Sequence, residues 1–164
     1  MKLQGKVHLF GNNINTDDII AGKYKHKTID VDELSNHIME NIRPNFRQLI
    51  KKGDFIVAGE NFGCGSSREQ APQIINHLGI SAVVAKSFAR IFFRNSINIG
   101  LLLIECNTDS IDENEELIFN AKTNQLFLSK SNIFINTPTL PIEVLEIVNA
   151  GGLLNYASKG GFNE

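Results

Sequence analysis

The residues best suited to chemistry lie in one stretch, Gly59 to Pro72, which reads GENFGCGSSREQAP. Three glycines within seven residues (Gly59, Gly63 and Gly65) let the backbone turn tightly and approach a ligand closely. Two hydroxyls and a guanidinium, Ser66, Ser67 and Arg68, follow at the mouth of a helical pattern that ends near Leu78. Unpaired N–H groups and a positive dipole end favour an anion there. Pro72 lacks an N–H and fits only a first turn, so the helix starts near Glu69 or later and leaves Ser66, Ser67 and Arg68 in the loop. Ser66 with Glu69 also fits a capping box, which would make the serine structural. The added glycines and the forked arginine, suited to a carboxylate, favour an anion site. It is neither a P-loop, for lack of G-K-[ST], nor a dinucleotide fingerprint, for Arg68 stands where a glycine is needed. A glycine two residues after either serine, the mark of a nucleophile elbow, is missing too. Cys64 is a rival nucleophile, but it is small, sits between two glycines, has no histidine near it in sequence, and reads as packing.

Other polar residues are open to two readings. Thr16-Asp17-Asp18 is an Asx turn or helix start, or it carries a functional carboxylate. Tyr24 to Thr28 is a polar loop with one histidine, His26. Arg90, Arg94 and Asn95 are interleaved with Phe88, Ile91, Phe92 and Phe93, as on a half-buried helix; Asn95 and Asn98 could instead brace the loop. His37, His77 and Met39 read as structural or solvated, and no spacing suits a metal ion. Two cysteines, Cys64 and Cys106, are too few for a disulfide framework or an iron–sulfur cluster, which takes about four ligands.

The elements that must position these groups follow from short apolar runs. Phe55–Ala58, Ala82–Ala85 and Leu101–Ile104 suit strands buried on both faces. Helical segments lie between them at about 69–78, stopped by Gly79, and 88–97, with Ser87 placed to cap it. The result is a parallel, right-handed βαβαβ unit whose ligand site lies at the carboxyl ends of the strands, where the Gly59–Arg68 loop emerges. A first strand is expected at 5–10. Helical faces are expected at 32–40, with Asp30 or Asp32 as cap, and at 46–50. After Asn107 the pattern turns antiparallel, with strands near 117–119, 126–128 and 133–135. A helix opened by Pro141 and closed by Gly151 and Gly152 follows, then a terminal segment at 153–159 and a frayed tail at 160–164. The fold class is therefore α/β, in a single domain over residues 1–164. At 42% hydrophobic and 21% charged the composition suits a globular chain, and a net charge of −2 argues against nucleic acid as partner. With no membrane-length apolar run and no signal-peptide pattern, a cytoplasmic location is expected.

The loop GENFGCGSSREQA resembles the signature of the aconitase superfamily's swivelling domain, in particular the separate small subunit of 3-isopropylmalate dehydratase and homoaconitase. Two further stretches agree, Asn15 to Ile20 (NTDDII) and Ala85 to Gly100 (AKSFARIFFRNSINIG). The resemblance implies a swivelling β/β/α three-layer domain and a hydro-lyase acting by dehydration and rehydration, active only with a large subunit that bears the 4Fe-4S cluster. It implies that Ser66 is the base, acting as an alkoxide, that Arg68 holds a carboxylate bidentately with Ser67 as an added donor, and that Asp17 orients Arg68. Gly63 and Gly65 would shape the loop, and Tyr24 and His26 would read the substrate's side chain. The implied substrate is a small di- or tricarboxylic acid and the implied role leucine biosynthesis. Members acting on isopropylmalate resemble Tyr-Leu-Val at that loop, and those acting on homoaconitate Tyr-Leu-Arg; Tyr24-Lys25-His26 departs from both. Homoaconitase and another alkylmalate dehydratase, such as that of 2,3-dimethylmalate, are alternatives. Outside enzymes, the loop suits a module that binds a regulatory carboxylate or phosphate.

Overall fold

Short apolar runs become strands here because both of their faces find cover. The computed structural model describes residues 1–162. Its strands are β1 (Lys2–Leu9), β2 (Phe55–Val57), β3 (Ala82–Ala85), β4 (Leu103–Glu105), β5 (Glu116–Asn120), β6 (Gln125–Leu128) and β7 (Ile133–Asn136). They form one sheet in the order β4-β3-β2-β1-β5-β6-β7. β1 to β4 pair in parallel, while β5 runs antiparallel to β1 and β6 and β7 continue antiparallel. Helices α1 (Thr16–Ile19), α2 (Gly22–Lys25), α3 (Val31–Ser35) and α4 (Phe46–Leu49) connect β1 to β2. α5 (Gln70–His77) and α6 (Arg90–Asn98) make the next two crossovers, and α7 (Ile142–Ala150) and α8 (Leu153–Ser158) follow β7.

The alternation of side chains along β3 sorts the core into two layers. Val83 and Ala85 face Leu34, Phe46, Ile74, Ile75 and Phe92 from the helices. Ala82 and Val84 face the other way, into a layer shared with Leu117 and Phe119 of β5 and Leu126 and Leu128 of β6. The sheet therefore curls so that its antiparallel half covers one face of its parallel half while helices cover the other. This is the three-layer β/β/α arrangement. A buried pair, His8 Nε2 to Asp54 Oδ2 at 2.7 Å, ties β1 to the turn before β2.

Several boundaries differ from the sequence expectation, each for a local reason. The parallel set has four strands, because β1 joins the βαβαβ unit beside β2. β1 also starts earlier, since Lys2 and Leu3 pair with Asn120 and Phe119. Leu101 and Leu102 are buried but precede the ladder, which begins at Leu103. Ser87 does not cap α6: its hydroxyl accepts the Asn61 N–H at 2.8 Å, and Ala89 is the N-cap residue. Asp30 caps α3, which stops at Ser35 rather than running to Glu40. At the other end Phe162 packs edge-on against Tyr156 at 5.1 Å, so the tail is folded back as far as that residue. Asn163 and Glu164 of that expected tail lie outside the described residues.

Candidate active site

Three loops leave the carboxyl ends of the adjacent parallel strands β1, β2 and β3, and backbone hydrogen bonds join them. Asn13 N donates to Glu60 O (2.8 Å), Gly63 N to Ile14 O (2.7 Å) and Thr16 N to Cys64 O (2.9 Å), joining the loop after β1 to the glycine loop after β2. Phe62 N donates to Ser87 O (3.0 Å) and Ala89 N to Phe62 O (2.9 Å), joining the glycine loop to the start of α6. Such proximity demands glycine at two positions. A Cβ on Gly63 would stand 2.2 Å from Phe92 Cγ, and the residue has φ +82. A Cβ on Gly59 would meet Asn12 Oδ1 at 1.8 Å, the oxygen that accepts the Glu60 N–H.

Arg68 is the best-fixed charged group of the site. Its Nη2 lies 2.8 Å from Asp17 Oδ1, and its Nη1 donates to Ile20 O at 3.3 Å. The guanidinium is threaded beside Gly22, where a Cβ would come within 3.0 Å of Nη2. The Arg68 side chain is 16% exposed and that of Asp17 58%, so the arginine is sheltered while its carboxylate partner faces outward. With five N–H donors available, two bonds leave Arg68 able to grip a further anion. Ser66 is exposed, and its carbonyl accepts the Thr16 hydroxyl at 2.6 Å. That bond fixes the planar peptide between Ser66 and Ser67, and with it the Ser67 N–H.

A cavity of about 230 Å³ opens against this loop. Gly63, Gly65, Ser67, Arg68 and Thr16 form one wall; Ala89, Arg90, Ile91, Phe92 and Asn95 form the other. Of the anticipated site residues, Gly63, Gly65, Ser67 and Arg68 come together here, with Asp17 attached through Arg68. Ser66 adjoins the cavity without lining it. Tyr24 and His26 do not line it either. The Tyr24 ring stacks on His37 at 3.8 Å between centroids, with Lys23 Nζ at 5.0 Å and Lys27 Nζ at 5.8 Å over the ring. Glu40, as hydrogen-bond partner and neighbouring charge, pushes the Tyr24 hydroxyl above its ordinary value of 10.0. His26 is exposed. Thr16, Arg90 and Asn95 also line the cavity; the sequence leaves Arg90 on a half-buried helix and Asn95 open between that helix and a brace for the loop. Thr16 sits inside the NTDDII stretch. The spacing of Ile91 and Asn95, one helical turn apart, places both on one face of α6. Arg94 is exposed and outside the cavity.

The donors among the described residues do not fit an iron–sulfur cluster. Among the described residues no three His, Cys, Asp or Glu side chains gather to hold a metal ion. Burial pushes the Cys106 thiol up to about 11, opposite to the thiolate a cluster needs. No helix among the described residues is long and apolar enough to cross a membrane.

Comparison with known proteins agrees with the fold. The aconitase C-terminal domain family matches residues 5–109. A 3-isopropylmalate dehydratase small subunit of Archaeoglobus fulgidus is 45% identical over 161 residues, covering 98% of both chains. One of Halothermothrix orenii is 47% identical over 163 residues, again covering 98% of both. A methanogen homoaconitase small subunit of Methanocaldococcus jannaschii is 47% identical, covering 97% of this chain and 93% of its own. The crystal structure of a 3-isopropylmalate dehydratase from the same organism superposes with a TM-score of 0.93 at 46% identity, covering 99% of this chain and 96% of that one. From the three-layer fold, the joined loops and these matches, the chain belongs to the aconitase C-terminal domain family.

Proposed function

We propose that this chain is the small subunit of a heteromeric hydro-lyase that interconverts 2- and 3-isopropylmalate, a step of leucine biosynthesis in the cytoplasm. The observation that carries this reading is Arg68, held by Asp17 at 2.8 Å and by the Ile20 carbonyl at 3.3 Å beside the two serines at the cavity mouth. In the reaction a base takes the proton from carbon beside a carboxylate, and the hydroxyl on the adjacent carbon leaves as water. Re-addition places the hydroxyl on the neighbouring carbon. The charge that builds on the carboxylate during deprotonation needs donors already in place. Arg68 meets this need with its unused N–H groups, and Asp17 keeps its guanidinium in one orientation. Ser67 lends a further donor. Ser66 is the base, and its alkoxide form draws on the loop N–H groups and the adjacent guanidinium. A large subunit completes the site, in keeping with the small-subunit names of the relatives. The 4Fe-4S cluster belongs on that partner, since the donors here do not suit one.

A second substrate reading has its own support. Two relatives are methanogen homoaconitase small subunits, at 47% and 44% identity. Lys23 and Lys27 also gather over Tyr24, where an extra substrate carboxylate would find cations. The deciding experiment is kcat/KM of the reconstituted pair for 3-isopropylmalate, homoisocitrate and a smaller alkylmalate. Isopropylmalate is expected to lead. A clear preference for the tricarboxylic acid would move the chain to the homoaconitase branch, and no turnover of any of the three would overturn the enzyme reading.

A further inference from the structure

Two neighbouring residues of α1 reach the glycine loop, and they hold different parts of it. Asp17 pairs with the Arg68 guanidinium at 2.8 Å. Thr16 holds the chain itself: its N–H donates to Cys64 O at 2.9 Å and its hydroxyl to Ser66 O at 2.6 Å. These two bonds bracket Gly65, which turns the chain at φ +91. Thr16 is 3% exposed, so the Ser66 carbonyl meets a sheltered donor although Ser66 itself is exposed. The turn that carries Thr16 is fixed in its own right. Asn15 Oδ1 accepts the Asp18 N–H at 2.8 Å, and Asp18 Oδ2 accepts the Asn15 N–H at 3.0 Å. A threonine hydroxyl has a single proton to donate, and here it is spent on the Ser66 carbonyl. Holding that carbonyl against α1 has two consequences. Its carbon is bonded to Ser66 Cα, so its direction sets the backbone on which the Ser66 side chain stands. In a trans peptide the next N–H points opposite to the C=O, so the Ser67 N–H is aimed away from Thr16. Among the described residues that N–H donates to no backbone carbonyl. Resting on the site reading above, we infer that Thr16 is a positioning residue for Ser66: its hydroxyl, and not merely its bulk, holds the base and the adjacent N–H in the arrangement that proton removal needs. Asp17 and Thr16 then divide the task, one steering the guanidinium and the other the base.

The test uses the reconstituted two-subunit enzyme with 3-isopropylmalate, kcat being counted per assembled complex. Thr16→Val keeps the shape and removes the hydroxyl. It is expected to lower kcat by about 10- to 100-fold and to move KM by less than about three-fold, as for a slightly displaced reacting group. Thr16→Ser keeps the hydroxyl, and its kcat is expected to lie within about three-fold of native. Substrate deuterated at the carbon that loses its proton adds a readout that a loss of folded protein does not move. The isotope effect on kcat is expected to stay at or above the native value in Thr16→Val, because proton removal is the step slowed. A fall toward unity would place the defect in another step and overturn the inference. If Thr16→Val does not join the large subunit, Thr16→Cys, with a weaker donor of similar size, replaces it, and its kcat is expected below that of Thr16→Ser. The inference is also overturned if the variant without a hydroxyl matches native kcat, or if Thr16→Ser loses as much as that variant. Ser66→Ala separates the two levels. If it turns over as the native pair does, the site reading fails and this inference with it; if it does not and Thr16→Val matches native, only the role of Thr16 fails.

Discussion

β3 and β6 are both four residues long, yet they are buried in different ways. All four residues of β3, Ala82 to Ala85, are buried, whereas in β6 only Leu126 and Leu128 are, with Gln125 and Phe127 half-exposed between them. β3 is covered by helices on one face and by the antiparallel half on the other; β6 is covered only on its inner face. The connections differ for the same reason. Parallel strands need long crossovers, and these supply the three loops that gather at the carboxyl ends of β1, β2 and β3. Antiparallel strands turn back within a few residues, as at Ala121 to Asn124. The half covered on both faces carries the candidate site, and the antiparallel half covers one of those faces. The family match agrees, ending at residue 109, before β5 begins.

The largest expected effect sharpens this division. Ser66→Ala should lower kcat of the reconstituted pair by about 10²- to 10⁴-fold with KM little changed, as for removal of a general base. Phe134→Ser, on the exposed face of the antiparallel half beside Phe127 at 4.6 Å, should change kcat and KM by less than about two-fold, on the scale of surface substitutions away from a site. Cys64→Ala should retain most of the turnover. Steady-state kinetics decides all three, and a dead Cys64→Ala enzyme beside an active Ser66→Ala enzyme would reassign the base.

How much of this could be read from the sequence follows the same division. Continuous apolar runs mark β2 and β3 because strands covered on both faces have no polar positions to interrupt them. The glycine loop was legible because its residue types serve few purposes other than tight turning and anion contact. The alternating strands β5 to β7 could be located from their period of two. Tertiary choices were harder to read. Ser87 looks like a helix cap by local rules, but its hydroxyl goes to the Asn61 N–H of another loop. Arg90 and Arg94 share one face of α6, and only their positions along the helix, Arg90 on the first turn and Arg94 one turn further from the loops, put Arg90 and not Arg94 in the cavity. Tyr24 has the residue type to touch a substrate, but it stacks on His37, which nothing in its own loop announces.

A smaller effect tests how each half makes its turns. The site relies on Gly63 (φ +82) and Gly65 (φ +91), whereas the antiparallel half places Asn114, Asn124 and Asn132 at positive φ. Asparagine tolerates that region, and its turns have room for a side chain. Gly63 has none, with Phe92 Cγ 2.2 Å from where a Cβ would stand. Gly63→Ala should therefore cost about 2–5 kcal/mol, summing a left-handed conformation for an L-residue and an overpacked core. At about 2–4 °C per kcal/mol for a chain of this size, the thermal midpoint should fall by roughly 4–20 °C. Asn124→Gly should shift it by no more than about 2 °C, within the scale of a neutral surface change. Equal shifts for the two would mean that the site loop is no more tightly constrained than a surface turn.

The smallest effect concerns pH and belongs to the antiparallel half. Glu115, just before β5, is buried, with 3% of its surface exposed. It accepts hydrogen bonds from Lys130 N (2.9 Å), Glu116 N (2.9 Å) and Ser131 Oγ (2.6 Å), pinning the turn between β6 and β7 back onto β5. Burial pushes its carboxyl up, but the bonds from Ser131, Lys130 and Glu116 outweigh that and hold it below the ordinary value of 4.5. A carboxyl depressed in the folded state binds fewer protons there than in the unfolded chain. Its contribution is thus complete above about pH 4.5 and fades as pH falls through the lower folded value. Thermal melts at pH 7 and pH 3.5 should show a smaller acid loss in Glu115→Gln than in the native chain, because an amide has no proton to gain. The amide that replaces the carboxylate also lacks one acceptor oxygen, so the variant should start lower at pH 7 and converge on the native curve in acid. The Asp17–Arg68 pair of the site is left intact by this change, so kcat at pH 7 should not move. An unchanged acid loss in Glu115→Gln would show that the turn is held by its backbone ladder alone.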